Sequence, residues 1–260
     1  MKLVVDIGNT NIVAGVLKQD KCLHLWRFKT EKDASEFDYS IKLNNLLFEA
    51  GIENGQLNAI VLSSVVSELK DKFISLLTKI NADAFILLDK AVYPLLNIKI
   101  PNPDEIGTDL VANSLAAYNK YASDLIIIDF GTALTFTVIN KNGEILGINI
   151  APGIKTAIRA LSDKTSQLDW VPLIMPDNPL GHNTETAIQN GVLLGYTGLI
   201  KYMIKTIKNK VGEQYKVLAT GGLSEVLKEK LPEINYFDRQ LTLSGLAMVA
   251  DFVEKRKKSS

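Results

Sequence analysis

One short pattern occurs twice in this chain, and the repeat restricts what the chain can fold into more than any other feature. Asp6-Ile-Gly-Asn-Thr-Asn11 and Asp129-Phe-Gly-Thr-Ala133 each follow an apolar, largely β-branched run, Leu3-Val-Val5 and Leu125-Ile-Ile-Ile128. A second strand-like run comes next, Ile12 to Leu17 and Leu134 to Ile139. Polar turns follow, Lys18-Gln-Asp-Lys21 and Asn140-Lys-Asn-Gly143, and then third runs, Cys22 to Phe28 and Glu144 to Ile150. Runs of this length and composition predict strands, and the polar breaks predict turns. The order strand, Asp-x-Gly turn, strand, turn, strand therefore predicts two similar half-domains.

The residue types in the repeat point to phosphate chemistry. Glycine at 8 and 131 removes the Cβ, so backbone N–H groups can come close to phosphate oxygens. Asn9, Thr10, Asn11 and Thr132 add uncharged donors. Asp6 and Asp129 would repel phosphate unless a cation stood between acid and nucleotide. A single Asp-x-Gly is most simply a turn after a strand. Two in the same strand context predict a functional pair and a phosphoryl-transfer enzyme. No Gly-Lys-Ser/Thr follows, and a strand rather than a helix succeeds the turn, so neither a Walker loop nor a dinucleotide fingerprint fits.

The 260 residues are enough for one large domain or two ordinary ones, and a 47% apolar, 22% charged composition predicts a sizeable core. Lys plus Arg and Asp plus Glu number 29 each, which argues against nucleic acid or a membrane surface as the main partner. The basic end, Glu254-Lys-Arg-Lys-Lys-Ser-Ser260, reads as a solvated helix terminus. Cys22 is the one cysteine, expected to be a buried structural thiol in a reducing compartment. No cluster of His and Cys has zinc spacing. A strand at the very N-terminus leaves no room for a signal peptide, so a soluble, cytoplasmic protein is expected.

The first half continues with a helix over 36–49, its apolar face expected from Phe37, Ile41, Leu43, Leu46 and Leu47, then strand 59–62, helix 68–80 and strand 84–88. Pro101-Asn-Pro103 opens a loop, and Gly107-Thr-Asp109 leads into a helix over 110–121. Beyond the second repeat and the loop Ala151-Pro-Gly153, a long helix is predicted over 184–211. Its glycines 191, 195 and 198 are expected to mark close packing or a hinge. Strand 216–219 meets Thr220-Gly-Gly222, and helices follow over 224–230 and 242–255. The alternation gives an α/β fold, divided into lobes of 1–115 and 116–260 around a shared cleft.

Taken in order, these pieces resemble the type III pantothenate kinases, within the actin, hexokinase and Hsp70-like ATPase superfamily. Asp6 to Asn11 resembles the first phosphate motif, Asn102-Pro-Asp-Glu-Ile-Gly-Thr-Asp109 the substrate and catalytic loop, and Asp129 to Ala133 the second phosphate motif. Trp26-Arg-Phe-Lys-Thr30, Ser63-Ser-Val-Val66, Ala151-Pro-Gly153, Gly181-His-Asn-Thr184, Ala219-Thr-Gly-Gly222 and Leu241-Thr-Leu-Ser-Gly-Leu246 also match. The resemblance implies two duplicated ribonuclease H-like, actin-like ATPase lobes, each a mixed sheet flanked by helices. It further implies transfer of the ATP γ-phosphoryl to pantothenate, the first step of coenzyme A synthesis. A divalent cation such as magnesium, a monovalent one (potassium or ammonium) and a homodimer with a shared site belong to the same implication.

Position by position, the resemblance makes Asp109 the base that accepts the pantothenate hydroxyl proton; the plain alternative is a helix N-cap. Asp6, Ile7, Gly8, Asn9, Thr10, Asn11, Ile12 and Val13 would wrap the ATP phosphates, with Asp6 near magnesium. Thr132 would donate to ATP, Asp129 would hold the monovalent cation, and Gly221 and Gly222 would let backbone approach adenine or ribose. Ile100, Gly107, Thr108, Leu110 and Thr184 fall at pantothenate-site positions, although Asn183-Thr184-Glu185 also fits an ordinary helix start. The chain departs from the family pattern at Leu110, where an arginine is usual, at Ile100, where a tyrosine is common, and at Gly147-Ile148-Asn149. Those departures keep two alternatives open: another small hydroxyl acceptor, or a nucleotide-binding paralogue with an accessory or regulatory role. His24, His182, Trp26 and Trp170 are expected to be packing or surface residues rather than catalytic ones.

Overall fold

The computed structural model describes residues 1–19, 21–162 and 171–259; Asp20 of the first polar turn and Trp170 lie outside them. Two compact units emerge, 1–119 with 241–260, and 120–240.

In the first unit, β1 (Lys2–Ile7), β2 (Asn11–Lys18) and β3 (Lys21–Lys29) form an antiparallel meander. β4 (Ala59–Ser64) and β5 (Phe85–Leu87) join parallel on the other side of β1, giving the order β3-β2-β1-β4-β5. Strand alternation divides β1 between two faces. Leu3, Val5 and Ile7 enter the core with α1 (Glu36–Glu49) and α2 (Ser67–Ile80), through Tyr39, Leu43, Leu47, Leu69, Phe73 and Leu77. Lys2 and Asp6 project from the opposite face, where α6 (Leu241–Ser259) packs against β1 and β4. There the Lys2 ammonium donates to the Ala247 carbonyl and pairs with Asp251. Helix α6 also meets α3 (Thr108–Tyr121): Thr242 Oγ1 donates to Asn113 Oδ1 at 2.8 Å, and a Cβ at Gly245 would stand 1.9 Å from the Ala112 carbonyl oxygen. These contacts group α6 with residues 1–119, whereas the sequence alone places all of 116–260 together.

The second unit repeats the plan with β6 (Leu125–Phe130), β7 (Ala133–Ile139) and β8 (Ile145–Pro152) antiparallel, and β9 (Lys216–Thr220) and β10 (Tyr236–Phe237) parallel beyond β6. Ile126, Ile128 and Phe130 pack with α4 (Ile154–Ser162) and α5 (Thr184–Val211) through Ile154, Leu193, Ile200 and Ile204. Asp129 therefore projects from the other face, as Asp6 does in the first sheet. The fold is two duplicated lobes, each a five-stranded mixed sheet flanked by helices. No described helix is long and apolar enough to cross a membrane.

Five local expectations are corrected. The buried face of α1 is Tyr39-Leu43-Leu47, at i, i+4 and i+8, while Phe37 and Ile41 are exposed. The second polar turn gives way to strand one residue later than expected and β8 runs through Ala151 and Pro152, which its edge position tolerates. Residues 224–230 form successive i→i+3 turns instead of an α-helix, with one 3-10 turn at Lys228–Lys230. Gly191, Gly195 and Gly198 are neither a hinge nor a packing surface: α5 is continuous through them, and a Cβ on any of the three would meet open space. Cys22 is half-buried rather than buried, its Sγ donating to the His24 carbonyl at 3.3 Å. Burial raises its pKa.

The glycines separate two costs. Gly245→Ala should destabilise by about 1–3 kcal/mol, because α3 and α6 must part to admit the methyl group. Gly191→Ala should stabilise by about 0.5–1 kcal/mol, because it adds helix propensity in open space. Urea titration of the two variants beside the parent chain checks both signs.

Candidate functional site

Parallel register brings the first site together. Asp6 on β1 lies directly opposite Ser63 on β4, so both side chains leave the same face of the sheet. Ser63 Oγ donates to Asp6 Oδ1 at 2.8 Å and lies 2.9 Å from Thr108 Oγ1. The serine has one hydroxyl proton and gives it to the carboxylate, so Thr108 donates to Ser63. Ser63 is fully buried, which shields both bonds from water. A chain of two hydrogen bonds thus ties the start of the first motif to the first residue of α3.

The turn after Asp6 closes on itself. Gly8 N–H donates to the Asn11 carbonyl at 3.0 Å, and Thr30, just past β3, clasps the turn, its Oγ1 donating to the Gly8 carbonyl and its N–H to the Thr10 carbonyl. The N–H of Gly8 is therefore used within the hairpin; Asn9 and Thr10 form the exposed tip. Gly131 N–H is used alike, donating to the Ala133 carbonyl at 3.1 Å. In both turns the glycine N–H is committed within the loop and so shapes it.

Asp109 sits in the first turn of α3, past the N-cap position. Its Oδ1 accepts from the Leu110 N–H at 2.9 Å and folds back so far that a Cβ at residue 107 would stand 2.5 Å from it. A side chain at 107 would push the carboxylate out of this position. Asp109 keeps some exposed surface, but protein surrounds its carboxyl, and desolvation raises its pKa against the lowering effect of the backbone donors. The next residue, Leu110, turns inward and is 7% exposed; Ile100 is half-buried.

Beside Thr108 lies a depression of about 290 Å³, lined among others by Ser64, Lys70, Asp89, Lys90, Tyr93 and Asp104. It is at the small end of ligand pockets and carries both apolar and charged walls. The Tyr93 hydroxyl, buried and facing the negative charges of Asp89 and Asp109, is pushed up to about 12, so it remains a donor. Sequence reasoning missed Lys70 and Tyr93 as members of this site. Both lie outside the matching motifs, on α2 and in the 3-10 turn at Tyr93–Leu95.

In the second unit Asp129 lies opposite Thr220, matching Asp6 opposite Ser63. Gly221 follows with φ +89°, and a Cβ there would stand 2.7 Å from Asp129 Oδ1. Only glycine fits on both counts. The Thr132 carbonyl accepts from Gly153 N–H at 2.9 Å and Thr156 Oγ1 at 2.7 Å, which fixes the second turn to the start of α4. Thr184 is the exposed first residue of α5, with Asn183 as N-cap in a reciprocal box with Thr186. His24 stacks on Trp26 at 5.6 Å, and exposed His182 lies 3.2 Å from Asn178 Nδ2.

Solved structures with this architecture span nearly the whole chain. A Campylobacter jejuni protein described as a member of the Baf family of transcriptional activators is 23% identical, with a TM-score of 0.60 over 97% of this chain and 99% of its own. The Clostridium difficile activator of 2-hydroxyisocaproyl-CoA dehydratase, solved with ADPNP, is 12% identical, with a TM-score of 0.56 over 100% and 97%. MreB 5 of Spiroplasma citri, solved with AMPPNP, is 12% identical, with a TM-score of 0.57 over 99% and 98%. The likeness gives the fold, that of the actin-like ATPases. The family model described as type III pantothenate kinase matches residues 2–206, most of the chain and every element of the first site except α6, and the chain therefore belongs to the type III pantothenate kinase family.

Proposed function

We propose that this chain transfers the γ-phosphoryl group of ATP to the hydroxyl of pantothenate, giving 4'-phosphopantothenate, as the first step of coenzyme A synthesis. The observation that carries the reading is the Asp6–Ser63–Thr108 hydrogen-bonded chain, which couples a phosphate-type hairpin to the turn bearing a desolvated carboxylate. Family membership supports it.

In this reading Asp109 takes the acceptor's hydroxyl proton as that oxygen bonds to the γ-phosphorus and the bond to ADP breaks. A raised pKa makes it a stronger base than an ordinary carboxylate. Asp6 to Val13 hold the ATP phosphates, chiefly through Asn9 and Thr10 at the hairpin tip. Thr132 donates to ATP, and Gly221 and Gly222 admit the nucleoside. Gly107, Thr108, Ile100, Leu110 and Thr184 belong to the acceptor region. No three His, Cys, Asp or Glu cluster tightly enough among the described residues to hold a metal ion alone. A lone carboxylate at Asp6 fits magnesium, which is commonly held by one or two carboxylates with phosphate oxygens and water. Asp129, with the Gly221 backbone against it, offers the hard oxygen donors that suit potassium or ammonium. A magnesium ion held at Asp6 would neutralise charge on the transferred phosphoryl group. A cytoplasmic homodimer sharing its sites completes the reading.

A second acceptor is favoured by one feature, the apolar side chains of Leu110 and Ile100 at positions where the family places arginine and tyrosine. A purely accessory role is disfavoured by Asp109, which the fold keeps desolvated at some cost to itself.

The decisive experiment is ADP release with ATP, magnesium and potassium, with and without pantothenate. Pantothenate-dependent ADP is expected, falling by a factor of roughly 10² or more in Asp109→Asn with ATP binding retained. Absence of pantothenate-dependent ADP from folded chain that still binds ATP would transfer the proposal to another acceptor or to a non-catalytic role. Asp109 also makes a stability prediction. Its folded pKa lies above the ordinary 3.8, so its favourable contribution is complete below that value and is lost as pH rises through the raised one. Asp109→Asn should gain thermal stability over the parent as pH climbs from 3.8 towards neutrality; melts that shift in parallel at every pH would oppose this. Leu110→Arg should lose about 2 kcal/mol or more, since it brings a cation into a buried position. Denaturant titration measures that loss.

A further inference from the structure

The depression beside Thr108 holds two cations in different states. Lys90 is paired with Asp104 at 2.7 Å on the exposed rim. Lys70, in the first turn of α2, is half-buried and makes no side-chain hydrogen bond or ion pair among the described residues. Its neighbours on α2 are engaged: Glu68 pairs with Lys32, and Lys72 donates to the carbonyls of Lys32 and Ala34. Asp89, which also lines the depression, accepts from the Ala91 N–H at 2.9 Å and retains capacity for a hydroxyl or amide donor. An unpaired ammonium in a small depression with charged and apolar walls can hold an anion. Leu110 cannot serve, being apolar and turned into the protein.

We infer that Lys70 holds the acceptor's carboxylate, so that the acceptor class is a small hydroxy acid with its charged end on α2 and its reacting hydroxyl beside Thr108 and Asp109. This rests on the kinase reading above and assigns within it a specificity residue that the family motifs do not contain. Lys70 is a binding residue; it is not asked to touch the transferred phosphoryl group.

The test compares pantothenate with pantothenyl alcohol, in which the carboxylate is replaced by a neutral hydroxymethyl group, in steady-state kinetics of the full chain. Lys70→Met should raise the KM for pantothenate roughly 10-fold or more. The KM for the alcohol should move by less than about twofold, so the parent's preference for the acid collapses. Lys70→Arg should restore most of that preference. Equal losses on both acceptors, or none on either, would overturn the assignment while leaving the kinase reading intact. A parent chain that neither phosphorylates nor, by calorimetry, binds pantothenate would remove the kinase reading and the Lys70 assignment together.

Discussion

The structure of the first unit depends on the parallel register of β1 and β4. Because Asp6 stands opposite Ser63, a carboxylate and a hydroxyl leave the sheet side by side, and a single proton donor can bond the acid while accepting from Thr108. A one-residue slip of β1 would turn Asp6 to the α1 and α2 core and part it from Ser63. The hydrophobic alternation Leu3-Val5-Ile7 forbids that slip, since it would expose three fully buried side chains. The packing of the apolar face thus fixes the geometry of the polar one. The same logic recurs in the second unit, where Ile126, Ile128 and Phe130 anchor the core and Asp129 is left opposite Thr220.

What the sequence makes legible follows from the range of the interactions involved. The hairpins, the strand ends at Asp6 and Asp129, and helices such as 36–49 and 184–211 are set by local periodicity and caps, and they stand where the pattern places them. The buried stripe of α1 did not follow from its apolar residues, because Phe37 and Ile41 form a second stripe that periodicity cannot distinguish from Tyr39, Leu43 and Leu47. The three glycines of α5 carry no local mark separating a close contact from open space. Gly245 carries none either, yet it is there that the α3 and α6 backbones meet. The tie between Ser63 and Thr108 spans 45 residues and exists only once the sheet has formed. Lys70 was hidden for the same reason: a lysine in the first turn of an amphipathic helix looks like solvated surface until the loop carrying Tyr93 and Pro103 closes beside it.

The turn at the start of α3 shows how one residue change moves several properties together. A carboxylate in the first helical turn ordinarily has its pKa lowered by the free N–H groups there. At Asp109 desolvation outweighs those donors. An arginine one position on would add an opposite charge and shift the balance towards a weaker base; leucine adds none and thickens the apolar surroundings. The departure from the family pattern at Leu110 is therefore consistent with a functioning base, provided the acceptor's negative charge is met elsewhere.

In the proposed reading Lys70 meets that condition from a different element. An ammonium on α2 can attract a carboxylate into the depression without standing beside Asp109, so the charge that recognises the acceptor and the charge that takes its proton need not neutralise each other. Separation also limits what the acceptor can be. Its acid and its reacting hydroxyl must be far enough apart to reach α2 and α3 at once, and its middle must suit a wall that offers the Asp89 carboxylate and the Tyr93 hydroxyl, which stays protonated with a pKa of about 12. An acceptor with an apolar middle brings the Asp89 carboxylate no donor beyond the one it has from Ala91. A hydroxy acid with polar donors along its length satisfies both.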